Sequence, residues 1–400
     1  MKKILLLGGS AQQVPAIKAA KEMGYYTVLI DYLPDNPGQY EADKWYQEST
    51  TDIDAVYRIA STEKVDGILP YASDPAALPA AIVAERLGLT TNPAKSVEIL
   101  GVKHKFRKFL QENGFPSPKT YTFSPDTPFN DVTEGIKLFS FPLLIKPTDS
   151  SGSKGVTLIN KISEIPYAIE EANKYSRNKI LIAEEYIQRG FPYIIGGDIF
   201  VEKGKIILFG DMACLREGKG NNLIPIGKKF PHGLDKVQQE RLHTELQRLI
   251  TVLGIENGEL NIELIIDKDN NPHFLELGPR AGGNMIPIQL SDIYGVDLIK
   301  ANVAAAMGEP TQLQPRTPKE CFMTHVLHSM ESGKYESIEY SEEIKPYIYR
   351  KVHYKHKGDP VEYFDGAGKA LGIVFMRFPD KTKMEEIQAK LPELVQINLK

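Results

Sequence analysis

The chain has little cysteine: in 400 residues there are two, Cys214 and Cys321. Two thiols with no C-x-x-C partner make no disulfide framework, so both read as core thiols and the expected home is a reducing cytoplasm. A strong charge imbalance is also missing. Lys+Arg total 48 against 52 Asp+Glu, a formal net charge of −4, which argues against nucleic acid or an anionic membrane as partner. No apolar run approaches the roughly 20 residues needed to span a bilayer. The opening stretch Ile4–Leu7 is too short for a signal-peptide core and reads as a buried first strand. His325 and His328 have no further ligands at zinc spacing and read as structural. What remains, at 42% hydrophobic and 25% charged residues, is an ordinary globular composition with length for two or three domains.

The first 95 or so residues alternate strand and helix patterns. Strands are expected at Lys3–Gly8, Thr27–Asp31 and Gly67–Tyr71, with helices at Pro15–Gly24, Ile53–Glu63 and Ala76–Leu87. That order predicts a parallel sheet covered by helices. Gly8-Gly9-Ser10 closes the first strand and Asp31 the second, which invites a dinucleotide-binding reading. The third glycine of G-x-G-x-x-G is absent, however, and a Rossmann-like domain with another use is favoured. A basic amphipathic helix follows at Lys103–Asn113, closed by Gly114, Pro116 and Pro118. A compact α/β segment runs from about 120 to 187, and antiparallel strands followed by helices from about 194 to 310. The region from about 316 to 400 reads as a small third unit of short strands.

The most informative feature is a pair of carboxylates, Glu263 and Glu276, on two strand-like flanks of an Asp/Asn-rich turn. Leu260, Ile262, Leu264 and Ile266 share one face; Asn261 and Glu263 share the other. A hairpin centred on Asp269-Asn270 sets Glu263 opposite Glu276. Two anions so placed repel by roughly 4 kcal/mol at an effective dielectric of about 20. A divalent cation with oxygen ligands offsets that most simply; the other reading is a bulge that turns one glutamate to solvent.

Leu143–Pro147 is an apolar strand with Lys146 at its polar end, and a Gly/Ser-rich stretch, Thr148–Gly155, leads to the next strand at Val156–Ile159. Such a loop can turn N–H groups onto a phosphate, with lysines as countercharge, or be a plain flexible hairpin. It is not a P-loop. Ile180–Ile187 is a strand ending in Glu184-Glu185, either a purine-edge site or a solvated strand end. The loop between Met212 and Leu234, with Arg216, the run 217–222, Lys228 and His232, either lines an acceptor site or is an ordinary mobile loop.

Taken in order, the front domain, the lysine-bearing helix, "IKP…SGSKGV", "EEYI" and "NIEL…LELGPRAGGN" resemble the ATP-grasp superfamily, in its carboxylate–amine/thiol ligase branch. The nearest flavour is the biotin carboxylase, carbamoyl-phosphate synthase and purine-biosynthesis carboxylase group. The resemblance implies an α/β and α+β chain in three parts. These are a Rossmann-like domain (1–98), an ATP-grasp domain (99–315, lid subdomain about 120–187) and a small β-rich C-terminal domain (316–400). It implies ATP and Mg2+ (or Mn2+) as cofactors, a small carboxylate and an amine as substrates, and homodimerisation at family level. Lys103 and Lys146 would contact the phosphates, and Ser150–Gly155, with Ser151, Gly152, Ser153 and Gly155, would close over them. Glu184, Glu185, Tyr186 and Ile187 would hold adenine, with Glu184 near the exocyclic amine and the Tyr186–Ile187 backbone on the ring edge. Glu263 and Glu276 would bind the metal, and Arg280 would meet the reacting carboxylate or acyl phosphate. Two positions depart from the pattern. Gly278 stands where the branch usually has a metal-ligating Asn, for which Asn284 is the substitute offered, and Asp198 stands in for the usual ribose glutamate or belongs to the substrate site.

The implied reaction makes an acyl phosphate and ADP, then joins the acyl group to an amine. Neighbouring readings are a bicarbonate-using carboxylase and an ATP-binding protein without catalysis, which Gly278 keeps open. A nicotinamide oxidoreductase leaves Lys146, the glycine loop and the paired glutamates unexplained.

Overall fold

The computed structural model describes residues 1–150, 154–216 and 224–400. The front of the chain is a four-stranded parallel sheet in the order β3-β2-β1-β4. Its elements are β1 (Lys3–Leu7), α1 (Val14–Glu22), β2 (Tyr26–Asp31), β3 (Lys44–Gln47), α2 (Ile53–Glu63), β4 (Gly67–Leu69) and α3 (Asp74–Leu87). Ile4, Leu5, Leu6 and Leu7 are all buried, because helices cover both faces of a parallel sheet and leave no polar side to alternate with. The edge strand β3 carries no apolar run, only Lys-Trp-Tyr-Gln at partial burial, and so was not legible as a strand. Asp31 accepts hydrogen bonds from the backbone N–H groups of Gly9 (2.7 Å) and Leu33 (2.8 Å). The acid that a dinucleotide ribose would need is therefore occupied by the chain's own backbone.

Helices α4 (Ala94–Gly101) and α5 (Lys103–Glu112) lead into a second sheet, ordered β5-β8-β6-β7. Its elements are β5 (Thr120–Phe123), α6 (Phe129–Gly135), β6 (Leu143–Pro147), β7 (Thr157–Ile159), α7 (Ile165–Asn173) and β8 (Leu181–Glu185).

The rest is organised by one eight-stranded sheet, ordered β13-β12-β9-β10-β11-β14-β18-β16. It is built from β9 (Ile194–Glu202), β10 (Lys205–Arg216), β11 (Pro225–Phe230), α8 (Lys236–Leu253), β12 (Asn257–Ile266), β13 (Pro272–Gly278), α9 (Ile286–Tyr294) and α10 (Leu298–Ala306), followed by β14 (Cys321–Leu327), β15 (Gly333–Tyr340), β16 (Ile348–His353), β17 (Pro360–Val361), β18 (Gly372–Phe378), α11 (Lys381–Leu394) and β19 (Val395–Leu399). The stretch from 316 onward thus gives three strands to the common sheet as well as holding its own three-stranded sheet, β17-β15-β19.

Helix α8 begins at a capping box between Asp235 and Gln238, which satisfies two otherwise orphan donors. Its Leu242, Leu246, Leu249 and Ile250 pack fully buried against Ile262, Leu264, Phe274 and Leu277. On the opposite face, α9 and α10 cover Phe200, Leu208 and Met212, while α10 also packs through Val303 onto the front domain's Ile4 and Leu6. Leu246→Ala, at 0% exposure, should destabilise the chain by about 2–5 kcal/mol, read as a drop in the urea midpoint at unchanged m-value.

Candidate active site

The hairpin β12–β13 sets Glu263 directly opposite Glu276. The route to that register differs from the simple one. From Leu264↔Phe274 to Ile266↔Pro272 each partner on β13 lies one residue earlier than expected, and an extra residue, Leu275, restores the register before the glutamates. This β-bulge does not turn a glutamate away to solvent. It leaves Phe274 and Leu277 in the core, and both glutamates about 30% exposed on the other face. Two opposed carboxylates supply the hard oxygen donors that Mg2+ prefers, so the residues present fit that ion. Glu263 forms an ion pair with Arg216, and Lys103 Nζ lies 3.9 Å from Glu276 Oε2.

Lys103 opens α5. Its ammonium donates to the Ser150 carbonyl at 2.5 Å, and its backbone N–H to Thr148 at 2.9 Å. Lys146 sits in β6, buried, 2.5 Å from Glu184 Oε2. Burial brings the Lys146 ammonium down to about 8; Glu184 opposes this, while Arg107 and Lys103 add to it. Glu184 is 2% exposed. Burial alone would raise its carboxyl, but Arg107 and Lys146 overcome that and hold it at about 2. Glu184 is therefore the countercharge of two cations. Glu185 points the other way, to Lys119 Nζ (3.2 Å) and the Ser140 N–H (3.1 Å). The Tyr186 N–H donates to the Pro142 carbonyl at 3.2 Å, so of the two backbone donors expected at the ring edge, only that of Ile187 has no acceptor among the described residues.

Gly155 adopts φ +72°, and a Cβ there would come within 3.0 Å of the Tyr175 ring and 3.2 Å of Ala172. The loop's return onto α7 therefore needs glycine. Ser151, Gly152 and Ser153, the centre of the expected lid, lie outside the described residues, as does the run 217–222. A cavity of about 520 Å3 is lined by Asp74, Lys103, Asp149, Lys154, Arg177 and Glu276, among others.

Arg280 is placed differently from its expected role. Nε and Nη2 donate to the two oxygens of Asp74, each at 2.7 Å, and Nη1 to the Ala281 carbonyl at 3.0 Å. This is a two-point carboxylate clamp between the front domain and the end of β13. Gly278 makes room for it: a Cβ there would lie 3.1 Å from Arg280 Cζ and 3.3 Å from Asp74 Oδ1. Asn284 is held by its N–H on Gln12 Oε1 of the front domain at 2.7 Å.

Asp198 is fully buried, which corrects its assignment to the nucleotide. It accepts from Asn261 (2.7 Å) and the Gly282 N–H (2.8 Å) and faces Glu259. Burial, then the charge of Asp198, push Glu259 well above the usual carboxylate range. Asp198 ties down the loop that follows Arg280 through the Gly282 N–H, while Glu259 accepts from Asn302 of α10. His232 also leaves the site. It is buried, 3.0 Å from Asp211, which takes His243 on its other oxygen. Lys228 stays on the glutamate face, 2.9 Å from Cys214 Sγ. Both cysteines are free and buried.

Sequence reasoning missed Arg107, Asp74 and Glu259. Arg107 carried a readable signal: with Phe106 and Leu110 it lies on the buried stripe of α5, where a guanidinium needs a built set of partners.

Residues 103–314 match the family model described as "Carbamoyl-phosphate synthase L chain, ATP binding domain", and the chain belongs to that ATP-grasp family. It is 25% identical over 316 residues to the carbamoyl phosphate synthase large chain of Thermoplasma acidophilum, covering 73% of this chain but only 28% of that protein. Among solved structures, an L-amino acid ligase from Bacillus licheniformis superposes with a TM-score of 0.84 at 18% identity, covering 100% of this chain and 99% of the other. The biotin carboxylase domain of Hydrogenobacter thermophilus 2-oxoglutarate carboxylase, solved with MgADP, ADP and bicarbonate, gives 0.78 at 19% identity, covering 100% and 91%. The two structures share the fold with this chain. ATP with Mg2+ is the cofactor pair of this family. Among the described residues no helix is long and apolar enough to cross a membrane.

Two measurements check the electrostatics. Because Lys146 loses its charge near pH 8, ADP affinity should fall as pH rises past about 8. Lys146→Ala should bind several-fold more weakly and lose that alkaline limb. For Glu259, the raised pKa means the folded state holds the proton more tightly than the unfolded one. Its contribution to stability is present at acid pH and is lost as pH rises from about 4.5 through the folded value. Glu259→Gln should therefore flatten the decline of unfolding free energy above about pH 4.5, measured by urea titration across pH.

Proposed function

We propose that the chain is an ATP-dependent, C–N bond-forming ligase of the cytoplasm, acting on a small carboxylate and an amine, with homodimerisation carried over from the family. The observation that supports this best is that Glu276, opposed to Glu263 across the hairpin, meets Lys103 in the lining of the cavity, inside the segment that matches the ATP-binding family. Glu263 and Glu276 would hold Mg2+, which when bound neutralises the β- and γ-phosphates during transfer. Asn284, tied to the front domain, is the weaker third ligand. Lys103 and Lys146 place two cations along the triphosphate. The Ile187 N–H reads the purine edge, and the loop ending at Gly155 closes over the phosphates and excludes water from a hydrolysable intermediate.

The substrate carboxylate attacks the γ-phosphorus, its oxygen forming the new bond as ADP leaves. The amine then attacks the acyl carbon and phosphate departs. Arg280 is suited to the carboxylate because its fork already grips one, that of Asp74. Substrate takes that place by exchange with Asp74. The runner-up reading, nucleotide binding without turnover, draws on the same contact and on Gly278.

The test is hydroxylamine trapping with Mg-ATP and pools of small carboxylates. Hydroxamate with ADP is expected from one pool, and none from Glu276→Gln. Arg280→Ala should keep ATP affinity and give no hydroxamate. Asp74→Asn, which loosens the competing clamp, should reach half-maximal hydroxamate at lower carboxylate concentration. ATP binding with no hydroxamate from any pool would favour the non-catalytic or bicarbonate readings.

A further inference from the structure

Strict alternation along β13 would put Glu276 on the same face as Phe274, which is in the core. Glu276 reaches the cleft only because Leu275 is an unpaired bulge residue. Strand β13 is also the edge of the eight-stranded sheet, so the carbonyls on its outer side have no neighbouring strand to pair with. One side chain takes up two of them at the bulge. Arg107, fully buried, donates from Nη1 to the Phe274 carbonyl (3.2 Å) and from Nη2 to the Leu275 carbonyl (3.0 Å). Its Nε lies 2.9 Å from Glu184 Oε1, an ion-pair contact out of line for a hydrogen bond.

We infer that Arg107 is the positioning residue of the metal site. By clamping the two carbonyls that flank the bulge, it holds Glu276 on the cleft face, opposite Glu263. The inference rests on Glu263 and Glu276 taking Mg2+ together with nucleotide. A lysine keeps the charge but offers one compact ammonium in place of a planar fork, and cannot hold two successive carbonyls in the same way.

The test is equilibrium binding of ADP with excess Mg2+ and again with EDTA, for the parent chain, Arg107→Lys, Arg107→Gln and Glu184→Gln, each first checked for folding by circular dichroism. The parent should bind ADP more tightly with Mg2+. In Arg107→Lys the ratio of the two affinities should fall by about 10-fold or more, the loss typical when an outer-shell partner of a metal ligand is removed, while the affinity in EDTA changes less. Arg107→Gln should behave alike and serves if the lysine variant does not fold. Glu184→Gln leaves the carbonyl clamp in place. It should bind ADP more weakly in both buffers, through Lys146, and keep the parent's ratio. An unchanged ratio in a folded Arg107 variant overturns the inference, as does a Glu184→Gln ratio that falls as far as that of the Arg107 variants. A parent with no Mg2+ effect overturns the metal reading beneath it, and is told apart because the parent, not the variant, fails.

Discussion

A buried carboxylate with two buried cations ties three parts of this molecule together. Glu184 stands between Lys146 and Arg107 at 2.5 and 2.9 Å, with all three nearly or wholly removed from solvent. Withdrawing one such ion from water costs several kcal/mol, and a set of three persists only where partners are in place for each. Here the partners come from three parts of the chain: β6 and β8 of the second sheet, α5 of the connecting pair, and the carbonyls at the edge of the large sheet. The set has one cation more than it has anions. Burial first, and then the neighbouring cations Arg107 and Lys103, lower the Lys146 ammonium against the pull of Glu184. Lys146 in the second sheet and the outer edge of β13 in the large sheet are thus two ends of one charge network.

How much of this was legible divides along physical lines. Features set by period and turn chemistry could be read. The helix Ile53–Glu63 has its expected limits, and the glutamates do face each other, although by way of a bulge that simple alternation about a turn does not contain. The bulge could not be read, since Leu275 and Glu276 look like any apolar–acidic alternation and only the core positions of Phe274 and Leu277 reveal the extra residue. Side chains whose role depends on distant partners were also misjudged. Glu184-Glu185 reads as a pair, but a strand sends its neighbours to opposite faces, so one carboxylate balances Lys146 and the other Lys119. Asp198 and His232 sit in polar-looking stretches yet are buried, answered by Glu259 and Asp211 from elsewhere in the chain.

The departure at Gly278 gains a physical account from the contact above it. An asparagine there would bring its Cβ within 3.1 Å of the Arg280 guanidinium and 3.3 Å of Asp74, tighter than the fork and its carboxylate allow without shifting. A chain with no side chain at position 278 gains space for an arginine clamp between the start of α3 and the stretch that follows β13. Asp74 begins α3 and Arg280 stands two residues past the end of β13, so the clamp ties the parallel-sheet part of the chain to the hairpin of the large sheet.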